Sequence, residues 1–275
     1  MKQVTSPSNP LFKTLRGLHD KKGRTKEGAF ILEGVRLVKD AVDSGAVIRL
    51  FVASESFARG NRDFLSMCDD RKLVLMPDAL FRKTGDTDTP QGIIAVAEIP
   101  QRNERDILSK ARRIIALENL QDPGNAGTIV RSADACGFDA VFFSKDSVDP
   151  YNSKAVRATM GSLFHLPVII CEDLFKTMKI LKSHGVGIVS AEPRDAVPCW
   201  EADLSDHIAL VIGNEGNGIS EPMLKLSDKK VAIPMDGGAE SLNAAAAASI
   251  LLYESMRQSR GRSQANCNMP KMADH

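Results

Sequence analysis

Apolar and polar positions alternate along the chain in two blocks, each made of short apolar runs separated by longer stretches with helical spacing. In the first block the runs at 29–32, 48–53, 73–76 and 92–97 predict strands, because four to six apolar residues bounded by polar or Gly/Pro positions suit a buried strand. The stretches 34–46, 56–67 and 78–83 predict helices, with Val35, Val38 and Val42 spaced along one face. The second block predicts strands at 113–118, 140–143, 168–171, 187–191, 207–212 and 231–234, and helices at 125–136, 153–159, 174–183 and 242–256. Such strand–helix alternation implies an α/β fold whose parallel sheet carries helices on both faces. Between the blocks, the polar PQRNER at 100–105 reads as a linker. The expected organisation is therefore a small α/β domain over 1–100, a linker over 101–110, a second α/β domain over 111–258 and an aperiodic polar tail over 259–275. No internal repeat is visible. A length of 275 residues agrees with two domains at about 150 residues each.

Composition narrows the class without naming it. A chain that is 43% hydrophobic and 26% charged is neither disordered, collagen-like nor a coiled coil. Cys68, Cys136, Cys171, Cys199 and Cys267 are scattered and form no C-x-x-C pair, so no metal site is expected and a reducing, cytoplasmic setting is. Residues 1–10 are polar and suggest no secretory signal. The longest apolar run, 244–253, falls short of the ~20 residues of a membrane helix. A net charge of +1 speaks against a strongly basic nucleic-acid binder, yet the charge is unevenly spread. Residues 1–40 hold nine Lys and Arg against four acids, an excess of five, so the remaining 235 residues carry a net −4. Lys21, Lys22, Arg24 and Lys26 form a basic stretch expected to be a flexible loop, either merely solvated or in contact with phosphates.

The candidate chemistry lies in three Gly/Asn/Pro-rich segments at the ends of predicted strands, where parallel α/β sheets bind ligands. They are LENLQDPGNAGTIVRSA at 117–133, LVIGNEGNGI at 210–219 and VAIPMDGGAESLNAA at 231–245. Familiar nucleotide and hydrolase motifs fail: GNEGNG at 213–218 is not G-x-G-x-x-G, and no P-loop, G-x-S-x-G or H-E-x-x-H is present. The five histidines are isolated.

Taken together, N-x-G-x-x-x-R at 125–131, I-G-N-E-G-x-G at 212–218 and I-P-M…S-L-N-x-x-x-A at 233–247 resemble the three C-terminal motifs of the SpoU (TrmH-type) RNA ribose 2′-O-methyltransferases of the SPOUT superfamily. YNSKAVRATMG at 151–161 is similar to that family's variable middle motif, with Thr159 where Ser is more usual. Glu33-Gly34 and Thr89-Pro90-Gln91-Gly92 resemble, more loosely, an L30e-like substrate-binding domain found in many of these enzymes.

The resemblance implies a C-terminal domain with a deep trefoil knot, S-adenosyl-L-methionine as cofactor, and a homodimer formed through that domain. It implies 2′-O-methylation of structured RNA, with 23S ribosomal RNA favoured over transfer RNA; a non-catalytic RNA-binding or assembly factor on the same fold is the alternative, and an antibiotic-resistance methylase is a possible subclass. Leu210, Ile212, Gly213, Asn214, Gly218, Ile233, Met235 and Leu242 are then expected around the cofactor, largely through main-chain groups. Arg131, Asn125, Glu215, Ser241 and Asn243 become the catalytic set. Arg131 is a poor literal base, so it is expected to clamp a phosphate and ease loss of the 2′-hydroxyl proton. Asn125 can cap its helix and orient Arg131 or the ribose. Glu215 can lie beside the sulfonium or pair with Arg131 or an arginine of a second copy. Ser241 can bind an anion or simply cap the last helix. Lys154 and Arg157 are candidates for RNA phosphate contact.

Overall fold

A computed structural model describes residues 2–267, with side chains through residue 262. The elements run in chain order as β1 (Lys2–Gln3), α1 (Pro10–Gly17), α2 (Lys21–Glu27), β2 (Ala29–Glu33), α3 (Val35–Asp43), β3 (Ile48–Ser54), α4 (Glu55–Gly60), α5 (Arg62–Ser66), β4 (Leu73–Met76), α6 (Asp78–Phe81) and β5 (Ile93–Glu98). They continue as α7 (Glu104–Lys110), β6 (Arg113–Leu117), α8 (Pro123–Ala135), β7 (Ala140–Ser144), α9 (Ser153–Thr159), β8 (Val168–Cys171), α10 (Leu174–Ser183), β9 (Gly187–Ala191), β10 (Val197–Pro198), β11 (Ile208–Ile212), α11 (Glu221–Leu226), β12 (Lys229–Ala232) and α12 (Ala244–Cys267).

By their packing these elements form two units, 1–101 with 149–165, and 102–148 with 166–275. The division departs from the sequence reading in two places. The expected linker 101–110 contains α7, whose Leu108 is buried in the core of the second unit. Segment 149–165, expected in the second domain, packs with the first: Tyr151 and Phe164 flank Phe30 of β2 at ring-centroid distances of 5.0 and 6.5 Å. The expected tail is helical as far as Cys267, and residues 268–275 lie outside the described residues.

The first unit is a mixed five-stranded sheet in the order β1-β4-β3-β5-β2, with β5 antiparallel to both its neighbours. Its core gathers Phe12, Leu15 and Leu18 from α1 and its end with Ile31, Val52, Val74 and Ile94 from the strands. The stretch 21–26 is not a loop. It forms α2, closed by Gly28 in the left-handed conformation (φ 59°). Arg24 is buried there, 3% exposed, and its Nη2 lies 2.7 Å from Asp149. Its Nε donates to Asp149 and its Nη1 to the carbonyls of Leu18 and His19. The expectation that Arg24 meets RNA is thereby corrected: the charge is consumed inside the unit, while Lys21, Lys22 and Lys26 are exposed.

The second unit is a seven-stranded sheet in the order β10-β12-β9-β11-β6-β7-β8, every pair parallel. Successive side chains of a strand point to opposite faces. Ile114 and Ala116 join Phe142, Ala209 and Val211 in a core with Leu174, Met178 and Leu181 of α10 and Met223 of α11. On α8 and α12, Ile129, Val130, Ala133, Ala245, Ala248, Leu251 and Leu252 are buried, and the two helices are joined by a 2.8 Å hydrogen bond between Ser132 and Ser249. The chain leaves β6 towards β7 and leaves β11 towards β12, on opposite sides of the sheet. Adjacent strands β6 and β11 therefore form the point where the winding reverses, and the crevice beyond their carboxyl ends is where such sheets take ligands.

Candidate active site

All three Gly/Asn/Pro segments emerge beyond β6, β11 and β12, at the carboxyl end of the second unit's sheet. The segment after β6 begins with Glu118, which is buried and accepts from Ser220 N at 2.8 Å and Ser220 Oγ at 2.7 Å. This carboxylate fastens the β6 loop to the start of α11. Asn119 follows in the left-handed region (φ 56°), which asparagine tolerates better than most residues. Its carbonyl accepts from Asn214 Nδ2 at 2.8 Å, joining the β6 loop to the β11 loop. Asp122 caps α8 by accepting from Asn125 N at 2.7 Å, and Pro123 occupies the first turn, where its missing N–H costs nothing.

The β11 loop is closed by its own main chain. Asn214 and Gly218 exchange two 2.9 Å hydrogen bonds, and Asn214 Oδ1 accepts from Gly216 N and Asn217 N. A Cβ at Gly213 would lie 2.3 Å from the carbonyl of Gly218, so closure demands glycine whether or not a ligand approaches. At Gly216 a Cβ would meet only the Asn214 side chain at an ordinary 3.6 Å. Gly213→Ala is expected to lower the melting temperature by about 2–10 °C, as overpacking against rigid backbone does, while Gly216→Ala leaves it nearly unchanged. Equal melting temperatures for the two variants would refute this account of the loop.

Closure of that loop aims Glu215 at the entrance of α8. Its Oε1 accepts from Asp122 N and Asn125 Nδ2, and its Oε2 from Gln121 N, each at 3.0 Å. Burial pushes the Glu215 carboxyl up, but the Asp122 N–H, the Asn125 amide and the Gln121 N–H together outweigh it and hold it below its ordinary value. Glu215 is therefore a carboxylate at neutral pH and can only accept hydrogen bonds. That fixes the amides behind it. Asn125 must turn its NH2 to Glu215, so its Oδ1 accepts from Asn243 Nδ2 at 3.0 Å. Asn243 in turn presents Oδ1 to Ala245 N at 2.9 Å and caps α12. One chain of hydrogen bonds, Glu215–Asn125–Asn243, thus ties the three segments together with a single polarity.

The other expected residues fall into distinct places. Arg131 lies on the exposed surface of α8, six residues beyond Asn125, which is about 9 Å along the axis and some 120° round it. Its guanidinium makes no hydrogen bond or ion pair among the described residues, so the expected Glu215–Arg131 pair within the chain does not form. Ser241 is exposed and lies three residues before the helix, so the capping role passes to Asn243. Leu210 and Ile212 are buried in β11, where their side chains serve the core and Ile212 O accepts from Glu118 N at 2.8 Å. Ile233 and Met235 are half-buried and Leu242 is exposed. Lys154 is exposed and Arg157 half-buried on α9, in the first unit.

Sequence reasoning missed Glu118, Ser220 and a pair of buried serines beneath the β6 loop. Ser144 Oγ accepts from Asn119 N at 2.9 Å, and Ser147 Oγ accepts from Leu120 N at 3.1 Å. The signal for Glu118 was available: an acid directly abutting the fully apolar run IIAL.

Residues 112–253 match the model of the SpoU rRNA Methylase family, and residues 9–95 match that of an MRM3-like substrate binding domain. The chain belongs to the SpoU rRNA methylase family. It is 37% identical to the 23S rRNA (guanosine(2553)-2′-O)-methyltransferase RlmP of Bacillus subtilis, over 92% of this chain and 98% of that one. It is 31% identical to the 23S rRNA (uridine(2479)-2′-O)-methyltransferase of Streptomyces viridochromogenes, over 88% and 87% of the two chains. Among solved structures, the AdoMet-bound rRNA methyltransferase from Sinorhizobium meliloti superposes with a TM-score of 0.81 at 31% identity, covering 93% of this chain and 97% of that one, and the SpoU methyltransferase AviRb from Streptomyces viridochromogenes with a TM-score of 0.80 at 30% identity, covering 92% and 99%. The α/β fold with its parallel sheet is thus that of SpoU methyltransferases. Among the described residues no helix is long and apolar enough to cross a membrane.

Proposed function

We propose that this chain methylates a ribose 2′-hydroxyl of 23S ribosomal RNA, using S-adenosyl-L-methionine, in the cytoplasm. The observation that carries the reading is the Glu215–Asn125–Asn243 chain, which unites the three family motifs beyond the sheet's winding reversal in a member of the SpoU family. The two 23S relatives named above methylate the ribose of different nucleosides, a guanosine and a uridine, so the proposal is confined to the ribose and names no base.

The residues fit the cofactor. Among the described residues the main chain of 234–242 makes no hydrogen bond, although it adjoins both β12 and the Asn243 cap. A run of free N–H and C=O groups beside half-buried Ile233 and Met235 suits an adenosine moiety read by main-chain groups on an apolar surface. Gly213, Asn214, Gly218 and Leu242 complete the proposed site, with the main chain of Leu210 and Ile212 behind them. When bound, S-adenosyl-L-methionine supplies an electrophilic methyl group. The chain's own residues must orient the ribose and take up the negative charge as the 2′-oxygen loses its proton. Arg131 is assigned to the RNA phosphate and that developing charge. Glu215 and Asn125 position the start of α8, and Asn243 fixes the start of α12. Ser241, exposed beside the α12 N-terminus, is assigned to substrate.

The fold of the second unit is proposed to include the trefoil knot of the superfamily, and the first unit to be the L30e-like RNA-gripping domain. Domain bounds near residues 100 and 111 remain part of this proposal, with 149–165 serving the first unit. Lys21, Lys22, Lys26 and Lys154 are assigned to RNA phosphates. A homodimer through the second unit is supported by Ala246, Ile250 and Tyr253, which follow one face of α12; Ile250 and Tyr253 are 42% and 59% exposed. Tyr253→Glu is expected to shift the sedimenting species from dimer to monomer, and a wild-type monomer would refute the assembly.

The decisive test incubates the purified chain with methyl-labelled cofactor and unmodified 23S RNA. Label resistant to alkaline cleavage at one nucleotide is the expected result. Cofactor binding without transfer to any ribosomal RNA would overturn the assignment.

A further inference from the structure

A cavity of about 370 Å³ opens in the first unit between β2, α3 and α9. Glu33, Arg36, Leu37, Asp40, Gln91, Arg157 and Met160 are on its wall. Two of these carry a buried polar atom that no hydrogen-bonding group among the described residues meets. Glu33 Oε1 accepts from Thr87, but Glu33 Oε2 is buried without a hydrogen-bond partner. Arg157 Nη1 is likewise buried without one. Glu33 and Arg157 form no ion pair with each other among the described residues. An unsatisfied buried polar group costs about 1–3 kcal/mol, and a charged one more, so two on one wall are a burden unless a ligand meets them. The cavity is also built with care. Gly34 adopts φ 105°, and a Cβ there would come within 3.0 Å of Gln91 Oε1, which accepts from Val35 N at 2.8 Å. With its oxygen committed, Gln91 has only its amide N–H groups left to offer.

The ligand that satisfies this wall must give hydrogens to a carboxylate and accept them from a guanidinium, on a body that can lie against apolar Leu37 and Met160 of the lining. Guanine does so: N1–H and N2–H lie side by side on one edge, and O6 and N7 on the next form the pair that arginine reads in a bidentate way. Adenine presents an acceptor at N1 where Glu33 needs a donor, and a pyrimidine lacks the N7 acceptor. We propose that this cavity receives an unstacked guanine base of the RNA, with Glu33 accepting from N1–H and N2–H and Arg157 donating to O6 and N7. Sequence-specific RNA recognition works on such splayed-out bases. Arg157, expected to touch phosphate, is thereby reassigned to a base edge. The proposal rests on the reading of the chain as an RNA-modifying enzyme, but its test does not.

The full-length protein, labelled with 13C-methyl methionine, is titrated with GMP, IMP, AMP and UMP, and the Met160 signal is identified by its loss in Met160→Leu. GMP is expected to shift that signal with an affinity about tenfold or more above AMP and UMP, with IMP, which lacks the N2 amine, in between. Glu33→Gln and Arg157→Gln should each weaken GMP about tenfold without altering cofactor affinity. Should either variant fail to fold, the nucleotide series on the wild-type protein decides alone. Equal affinity for GMP and AMP, or shifts that spare Met160, overturns the proposal. Methyl transfer to 23S RNA by the same preparation separates the two readings: transfer without guanine selectivity removes the pocket and keeps the enzyme, and selectivity without transfer does the reverse.

Discussion

Arg131→Ala is expected to cripple methyl transfer to RNA while leaving cofactor affinity and melting temperature within error of the wild type. The expected fall in turnover is about 10²–10³-fold or more, the range seen when one preorganised donor to a developing oxyanion is removed. Stability should be untouched because the guanidinium is exposed and, among the described residues, has no partner to orphan, and such surface changes stay within about 0.5 kcal/mol. Cofactor affinity is untouched because Arg131 is separated from Asn125 by about 9 Å of helix, away from the segments assigned to the cofactor. Arg131→Lys keeps a charge but not the planar fork, so it should recover only part of the rate. A Glu215 variant behaves differently. Its carboxylate holds three groups at the mouth of α8, so Glu215→Ala should impair folding and activity together. Single-turnover transfer, cofactor calorimetry and a thermal melt on the same three proteins separate a chemical role from a positioning one. Full activity in Arg131→Ala removes it from the mechanism.

The layered logic of the second unit was legible because its central strands β6, β7 and β11 are buried on both faces. Apolar runs such as VIIC and GIVSA stand out between polar turns, and β8, β9 and α10 begin and end where the pattern places them, as does α9 of the first unit. Long-range packing was not legible. The sequence 56–67 reads as one helix, yet it breaks at Asn61 (φ −132°) into α4 and α5. α1 escaped notice although Asn9 caps it and Pro10 opens it, a start signal that was present in the sequence. α2 gave no signal at all: KKGRTKE has no apolar face, and it is held by one buried arginine whose partner lies 125 residues away. The site divided along the same line. Its glycine- and asparagine-rich segments stood out because turn residues at strand ends are local features, and Glu215 was singled out by the resemblance to the SpoU motifs. The direction of the Glu215–Asn125–Asn243 chain was not, since it depends on which groups face one another once three distant loops meet.

Arg24→Ala should be among the most destabilising single changes in the first unit, and that outcome separates it from its neighbours. The wild-type side chain satisfies Asp149, itself only 10% exposed, and the carbonyls of Leu18 and His19. Truncation strands a buried carboxylate and two carbonyls together. Removing one partner of a buried pair costs about 3–5 kcal/mol, which corresponds to a drop of roughly 10 °C or more in a chain of this size. Arg24→Lys cannot reach three acceptors from one ammonium and should recover only part of the loss. Asp149→Ala on top of Arg24→Ala should cost less than the two changes added, because no unpaired charge is then left behind. Replacing exposed Lys21, Lys22 and Lys26 by alanine should do the opposite: stability holds, and the dependence of RNA affinity on salt flattens by about 2 in log–log slope if all three meet phosphates. A basic run of four therefore splits by burial, one charge spent on tying segment 149–165 to α2 and three left for a polyanion. If Arg24→Ala melted like the wild type while weakening RNA binding, the buried pair would have no structural role and the fourth charge would return to the RNA surface.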